Sequence, residues 1–172
     1  MTLLLRKALP DEAEALWLLF YNTIHNVNRR DYSAEQTAAW APAEMDPAAW
    51  RRRIAGMDPY VCLDSAAANG SSGQSPAIVG YAGMTATENA GYIDHFYVHH
   101  QWQGQGVGKL LYQQLEADAV RLQLSELTSD VSITARPFFE SRGFQVVTPQ
   151  QVERAGVILA NFRMKKRLPA DR

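Results

Sequence analysis

Three glycines at alternate positions stand between an apolar segment and an amphipathic one. They are Gly104, Gly106 and Gly108, within the stretch that runs from Gln103 to Lys109. Glycine lacks the Cβ atom that keeps a ligand away from the backbone, and it adopts turn conformations that other residues avoid. A helix that begins at such a turn directs unpaired N–H groups and the positive end of its dipole toward the turn. The pattern therefore predicts an anion site suited to phosphate groups.

Two common phosphate-binding loops do not fit these residues. A P-loop needs glycine six positions before its lysine and Ser or Thr after it, but Gln103 and Leu110 occupy those positions around Lys109. A dinucleotide fingerprint needs Gly-x-Gly-x-x-Gly, whereas the spacing here is Gly-x-Gly-x-Gly. Both classes of nucleotide site are excluded.

The residues do match the pattern Gln/Arg-x-x-Gly-x-Gly/Ala, through Gln103, Gly106 and Gly108. This stretch resembles motif A of the GCN5-related N-acetyltransferase (GNAT) superfamily, which cradles the pyrophosphate of acetyl-CoA. A second block, from Ser132 to Phe144, is similar to the family's second cofactor segment, Asn-x-x-Ala-x-x-x-Tyr-x-x-x-Gly-Phe. The resemblance covers residues 3–166. Smaller details further resemble the bacterial YafP-like group: Tyr32-Ser33 with Gln36 and Trp40, and Asn161 to Met164.

The resemblance implies an acetyl-CoA-dependent N-acetyltransferase, in which a primary amine attacks the thioester directly. A small molecule, an amino acid and a peptide N-terminus all stay open as the acceptor. The backbone N–H of Val98 is the implied donor to the thioester carbonyl. The cofactor-binding positions carried over from the family are Phe96, Tyr97, Val98, Gln103, Gly104, Gln105, Gly106, Val107, Gly108, Lys109, Ser132, Arg136 and Phe139. For Arg136, an exposed helix position is an equally good interpretation.

Two residues depart from the family pattern. Ser132 stands where the family usually has Asn, which removes at most one hydrogen bond to the cofactor arm. Phe139 stands where many members have a Tyr that protonates the leaving thiolate, and phenylalanine has no proton to give. A non-catalytic acyl-CoA-binding or sensing protein is therefore an open alternative, as is an enzyme that acetylates a hydroxyl group.

Asp94 is the candidate general base, acting through an ordered water. Strand alternation places Tyr92, Asp94, Phe96 and Val98 on one face, similar to the face that carries the family's base. The family's Glu aligns most nearly with Tyr92. The alternative is that Asp94 merely pairs with an arginine or caps a backbone group. His95 falls on the opposite face and is predicted to be a packing residue.

Several other side chains of reactive type are predicted at the surface, in the core or in the wall of a pocket. His99 and His100 are predicted at the surface or beside the cofactor, and His25 at a solvated helix end or an acceptor pocket. Cys62 is predicted in the core, and no metal site is expected. Four aromatic residues are core residues or walls of an acceptor pocket: Tyr32, Trp40, Trp50 and Tyr60.

The elements that must position these residues follow from the periodicity. Strands are predicted at 2–6, 59–65, 77–87, 91–98, 126–132, 144–148 and 156–165, and helices at 10–27, 33–40, from 46, 107–122 and 134–142. Ser33 with Gln36 forms a capping-box pattern. This order predicts one domain with a mixed α/β (α+β type) sheet in three layers. The resemblance implies a mostly antiparallel sheet of about six to seven strands flanked by about four helices.

Composition narrows the class of partner. The 172 residues hold 17 basic and 18 acidic side chains, which argues against a nucleic-acid-coating protein. Residues 163–172 hold five basic side chains and one acidic one, so the rest of the chain is acidic and suits an amine partner. No leader or membrane span is read, and a single cysteine fits a cytoplasmic protein. The loop 66–76 is expected to be flexible. The basic C-terminal tail is assigned to 167–172, and Lys165, Lys166 and Arg167 are expected to be solvated. Pairing of the closing strands into a homodimer is left open.

Overall fold

The computed structural model describes residues 1–68 and 76–169, and the seven strands found there form one sheet. The strands are β1 (Leu3–Lys7), β2 (Tyr60–Asp64), β3 (Ala77–Ala86), β4 (Ala90–Val98), β5 (Glu126–Ser132), β6 (Gln145–Arg154) and β7 (Val157–Arg167). The helices are α1 (Ala13–Asn26), α2 (Ala34–Trp40), α3 (Pro47–Met57), α4 (Val107–Arg121) and α5 (Arg136–Ser141). The sheet order is β1-β2-β3-β4-β5-β7-β6, and β4 with β5 is its parallel pair. The mixed, mostly antiparallel sheet is confirmed, with five helices in place of about four.

Local sequence signals start the first three helices. Pro10 opens a 3-10 turn, Pro10–Glu12, that leads into α1. The predicted capping box at α2 is present, because the Ser33 hydroxyl accepts from the Gln36 N–H and the Gln36 amide accepts from the Ser33 N–H. Asp46 accepts from the N–H groups of Ala48 and Ala49 and so caps α3.

The helices cover both faces of the sheet. α1 and α3 pack on one face through Leu16, Phe20, Trp50 and Ile54, against buried residues of β2 and β3. α4 packs on the other face, with α5 beside it. A Cβ atom on Gly80 of β3 would lie 2.7 Å from Cγ1 of Val107, so glycine at this position lets the start of α4 approach the sheet closely.

The basic end of the chain is a correction to the sequence prediction. Lys165, Lys166 and Arg167 belong to β7, which pairs with β5 and β6, and are not a solvated tail. The Lys166 ammonium lies 2.8 Å from a carboxylate oxygen of Glu116 and donates to the Tyr112 hydroxyl at 3.0 Å. β6 also continues well past the predicted end at 148. The expected flexible loop lies largely at 69–75, outside the described residues, as do residues 170–172.

Candidate active site

A glycine turn opens α4 without a side-chain cap. Gly104 and Gly106 have φ angles of 72° and 89°, in the left-handed region that favours glycine. Gly106 is the N-cap residue, and the first backbone bond of the helix runs from the Leu110 N–H to the Gly106 carbonyl. The N–H groups of residues 107–109 therefore have no partner within the helix. No atom lies within 4 Å of the place where a Cβ would stand at Gly104 or Gly106, so this end is open to a ligand.

A wedge-shaped cavity, called the wedge below, opens beside this turn because β4 and β5 separate. Their parallel pairing ends at Ile93 and Ser129, where the Ser129 hydroxyl donates to the Ile93 carbonyl at 2.8 Å. Beyond that point β5 continues only with β7, and a cavity of about 460 Å³ lies between the two diverging strands and the glycine turn. The wedge thus joins the unpaired N–H groups of α4 to the carboxyl half of β4.

The end of β4 presents a backbone donor to the wedge. The His99 N–H donates to the Val79 carbonyl on β3 at 2.8 Å. Because successive N–H groups of a strand point to opposite sides, the Val98 N–H points away from β3 and toward the gap. The Val98 carbonyl accepts from the Thr23 hydroxyl at 3.1 Å and the Gln103 amide at 2.8 Å, which fixes the strand end against α1 and the turn.

Most of the predicted cofactor residues line the wedge, and three do not. Gln105 donates its amide to the Gln101 carbonyl, and the Val107 side chain is buried in the core. Arg136 pairs with Glu140 at 2.9 Å and lies over the Phe162 ring, as expected for an exposed helix position. The predicted residues that do line the wedge are Phe96, Tyr97, Val98, Gln103, Gly104, Gly106, Gly108, Lys109, Ser132 and Phe139.

Sequence reasoning missed several polar residues of the wedge. The Arg142 Nε and the Thr134 Oγ1 are buried there and have no hydrogen-bond partner among the described residues. Buried polar atoms without a protein partner call for a ligand or water. With Lys109 and Arg30, which also line the wedge, they fit a polyanionic group. Arg142 and Thr134 lie inside the second motif block, whereas nothing local marks Arg30.

The structure shows the contacts of the two residues that depart from the family pattern, Phe139 and Ser132. Phe139 is 2% exposed and packs edge-on against Phe96, Phe138 and Phe144, so no hydroxyl is offered there. The Ser132 hydroxyl accepts from the Ala135 N–H at 3.0 Å and from the Asn28 amide at 3.4 Å. Asn28, which follows α1, therefore brings an amide group beside Ser132.

A β-bulge corrects the predicted faces of β4. His95 lies opposite Gly83 and Ile93 lies opposite Met84, which leaves Asp94 without a partner on β3. The extra residue reverses the alternation beyond it. Ile93, Phe96 and Val98 consequently pack toward α4, while Tyr92, His95 and Tyr97 face the side of α1 and α3. The prediction that Tyr92, Asp94, Phe96 and Val98 share one face was wrong, because Tyr92 lies on the opposite side from Phe96 and Val98 and Asp94 is the bulged residue between them. A period of two holds only in an unbulged strand.

A second cavity, of about 560 Å³, lies on the α1 and α3 side of the bulge. Three of the four aromatic residues proposed for an acceptor wall line it: Tyr32, Trp40 and Trp50. The fourth, Tyr60, lies near α4, where its hydroxyl donates to Asp118 at 2.5 Å and burial raises its pKa to about 12. Asp94 lines both the wedge and the second cavity, and the two cavities meet along five shared residues: Trp40, Asp94, Tyr97, Asp130 and Ser132. The one ion pair of Asp94 among the described residues is with Arg53, at 3.3 Å.

The histidines occupy distinct environments. His95 is 4% exposed and shares a hydrogen bond of 2.9 Å with the Tyr81 hydroxyl. Burial, helped by the positive charge of Arg53, lowers the pKa of His95 to about 3, which keeps it neutral. His25 was predicted at a solvated helix end or the pocket, but its ring bonds the Ala41 carbonyl at 2.8 Å and lines neither cavity. His99 and His100 are half-buried and stack on each other beside the turn.

A family model described as an acetyltransferase (GNAT) domain matches residues 28–168. The chain belongs to the GNAT family. It is 32% identical over 161 residues to the protein described as uncharacterized N-acetyltransferase YafP of Escherichia coli, which covers 94% of this chain and 93% of that one. The resemblance to the YafP-like group of GNAT proteins is thereby confirmed.

Solved GNAT structures share the fold. A GCN5-related N-acetyltransferase from Rhodopseudomonas palustris superposes with a TM-score of 0.82 at 32% identity, over 98% of this chain and 97% of that one. The PaiA N-acetyltransferase of Thermoplasma acidophilum, solved in complex with coenzyme A, gives 0.75 at 15% identity, over 98% and 100%. Within residues 1–68 and 76–169, no helix has the length and apolar character needed to cross a membrane.

Proposed function

We propose that this chain is an acetyl-CoA-dependent N-acetyltransferase whose acceptor is a primary amine. One observation carries the proposal: two carboxylates line both the wedge and the aromatic cavity, and only Asp94 is loosely held. Asp130 is bound by Arg163, Gln150 and Tyr92, whereas Asp94 pairs with Arg53 alone among the described residues. A donor held in the wedge and an acceptor held in the aromatic cavity would approach each other at Asp94. Such an arrangement lowers the barrier to group transfer by fixing both partners in one geometry.

The wedge residues suit the cofactor and its reacting group. The N–H groups of residues 107–109, with Lys109, Arg30 and Arg142, would hold the phosphates of acetyl-CoA. Acetyl-CoA supplies the acetyl group as a thioester. The Val98 N–H points into the same gap, where a backbone donor would stabilise negative charge that develops on the thioester oxygen.

Asp94 is proposed as the group that removes the proton of the acceptor. An alkylammonium has a pKa of about 10 in water, so it must lose a proton before its nitrogen can attack. A carboxylate at the junction of the two cavities can take that proton directly or through a water molecule. The ion pair with Arg53 holds the carboxylate at the cavity wall.

The test is release of CoA from acetyl-CoA in the presence of a panel of amines, followed with a thiol reagent. Asp94→Asn should lower kcat/KM by about 10²-fold or more, the usual contribution of a general base. Its Kd for acetyl-CoA should stay close to the wild-type value. Asp11→Asn is the matched control, since Asp11 is exposed and lines neither cavity. Equal turnover in Asp94→Asn and wild type across the pH range would remove Asp94 from this role.

A non-catalytic acyl-CoA sensor is the second candidate, and Phe139 favours it because the position carries no proton donor. A sensor would show a melting temperature that rises with acetyl-CoA but no CoA release with any amine. Recovery of turnover in Phe139→Tyr, starting from an inactive wild type, would assign the protein to binding alone. Turnover by the wild type would exclude this candidate.

Three broader features stay proposals. We place the chain in the cytoplasm, treat residues 1–172 as one N-acetyltransferase domain, and leave a homodimer through β6 and β7 open. Light scattering of the purified chain measures its mass in solution and decides between one copy and two.

A further inference from the structure

The second cavity carries charges of both signs beside its aromatic wall. Its charged lining residues come from five segments: the loop before α3, α3 itself, and the strands β4, β5 and β6. They are the acids Glu44, Asp46, Asp94 and Asp130 and the bases Arg53 and Arg154. A cavity of this kind complements a ligand that is itself both cationic and anionic.

Two of the four carboxylates are already committed to protein donors. Asp130 accepts from the Arg163 guanidinium at 2.5 and 3.2 Å and from the Gln150 amide at 2.9 Å. Asp46 caps α3. These two groups therefore have little capacity left for a ligand.

The remaining charges are free or loosely held. Arg154 makes no ion pair with any residue in the described ranges, although its positive charge helps to lower the pKa of His95. Glu44 likewise has no ion pair among the described residues. Arg53 meets Asp94 through one long contact of 3.3 Å, with half of its side chain exposed. The second cavity thus offers two guanidiniums, of Arg53 and Arg154, and two carboxylates, of Asp94 and Glu44, to an incoming molecule.

The space between these charges is aromatic. Trp17, Phe20 and Trp50 form one set of contacting rings, with centroids 5.1 to 5.4 Å apart, and Tyr97 packs edge-on against Phe20 at 5.0 Å. Trp40 continues the lining on the other side. Such a wall favours a flat or bulky apolar group over a short polar one.

We propose, on the basis of the function proposed above, that the acceptor is a free α-amino acid with a large apolar side chain. In an α-amino acid the ammonium and the carboxylate are attached to the same carbon. Asp94 and Arg53 hold a carboxylate and a guanidinium side by side, in contact at 3.3 Å, so a ligand with both charges on neighbouring groups can reach the two together. The amino group binds at Asp94, facing the wedge, and the carboxylate binds to Arg53, with Arg154 as a second cation. The side chain lies against the tryptophan rings.

Two other acceptor classes match the cavity less well. An aromatic amine without a carboxylate leaves the guanidinium of Arg154 without an anion among the described residues and that of Arg53 with Asp94 alone. The first residue of a peptide has an amide in place of the carboxylate, and an amide cannot form the bidentate pair that a guanidinium makes with a carboxylate. Recognition of the carboxylate is therefore the distinguishing feature of the proposal.

The experiment compares phenylalanine with 2-phenylethylamine and phenylalanine amide, which share the amine and the ring but lack the carboxylate. For wild type, kcat/KM for phenylalanine should exceed that for either analogue by about tenfold or more. The ratio of phenylalanine to 2-phenylethylamine should fall by about tenfold in Arg53→Gln and stay within about twofold in Arg52→Gln. Arg52 is the matched control, because it is the preceding residue of α3, is exposed and lines neither cavity.

Direct binding separates this inference from the proposed function. Phenylalanine is titrated calorimetrically into protein saturated with CoA, and 2-phenylethylamine is titrated in parallel. Binding of phenylalanine but not of 2-phenylethylamine supports the amino-acid site, even if no CoA is released. The absence of CoA release would refute the transferase proposal and leave the amino-acid site standing. Equal acetylation of both compounds refutes carboxylate recognition and leaves the transferase proposal standing. An unchanged ratio in both Arg53→Gln and Arg154→Gln, or no binding and no turnover of any amino acid, also overturns the inference.

Discussion

Gly106→Ala isolates the backbone contribution of the glycine turn. Gly106 has a φ of 89° at the N-cap of α4, and a Cβ added there would meet no atom within 4 Å. The substitution therefore introduces no clash, and its cost is that of holding an L-residue in the left-handed region. That cost is about 1–2 kcal/mol. In a chain of this length it corresponds to a melting temperature lower by about 2–8 °C.

The same glycine-to-alanine substitution at Gly56 should raise the stability of the fold instead of lowering it. Gly56 lies in the last turn of α3, has no positive φ, and would also place its Cβ in open space. Alanine is the better helix former, so Gly56→Ala should raise stability by about 0.5–1 kcal/mol. The pair of variants separates backbone conformation from the mere addition of a methyl group.

Ligand affinity should follow the turn as well. A Cβ held at position 106 would stand in the open space in front of the N–H groups of residues 107–109, so Gly106→Ala should cost a bound phosphate at least one charge-assisted hydrogen bond. A loss of about 1.4 kcal/mol raises the Kd for acetyl-CoA about tenfold. Thermal melts followed by circular dichroism and calorimetric titration with acetyl-CoA measure both effects. A melting temperature that rises in Gly106→Ala as it does in Gly56→Ala would refute the strain argument, and an unchanged Kd would refute the role of the turn in binding.

Two further predictions concern buried groups. Burial lowers the pKa of His95 to about 3, whereas the unfolded chain keeps it near its ordinary value, so the unfolded state takes up this proton first as the pH falls. Stability that is present above about pH 6.5 should then be lost at about 1.4 kcal/mol per pH unit toward pH 3, and urea melts of His95→Gln should show a flatter slope than wild type. Cys62 is fully buried and burial raises the pKa of its thiol to about 11. The native protein should therefore give no reaction with a thiol reagent and one thiol per chain in denaturant, and fast labelling of the native protein would contradict this.

The lining of the wedge was predictable because its signals are local. The glycine turn and the start of α4 lie within a few residues of each other, and ten of the thirteen predicted positions line the wedge. Arg136 was predicted to bind the cofactor from its motif position alone. Its ion pair with Glu140, one helical turn away, holds the side chain away from the wedge. Arg142 lies six residues further along in the same motif block. Its Nε is buried in the wedge and has no hydrogen-bond partner among the described residues.

The second cavity, proposed to hold the acceptor, depends on residues that no short motif connects. Arg53 comes from α3, Asp94 from β4 and Arg154 from β6, and only the sheet order and the packing of α3 bring them to one cavity. Tyr60 shows the reverse case, an aromatic residue on a predicted strand that faces the opposite layer. Strand and helix periodicity indicate which residues share a face but not which layer that face will meet.

By itself, the sequence determined the family, the order of elements, the capping box of α2 and the glycine turn, since each rests on neighbours within about one or two turns of chain. The tertiary structure decided how Asp94 is presented. The bulge opposite Gly83 and Met84 shifts the alternation of β4 by one residue, and the separation of β4 from β5 after Ile93 opens the wedge beside it. Both features arise because β4 must pair with β3 on one side and with β5 on the other. This long-range condition cannot be inferred from the alternation of residues within β4.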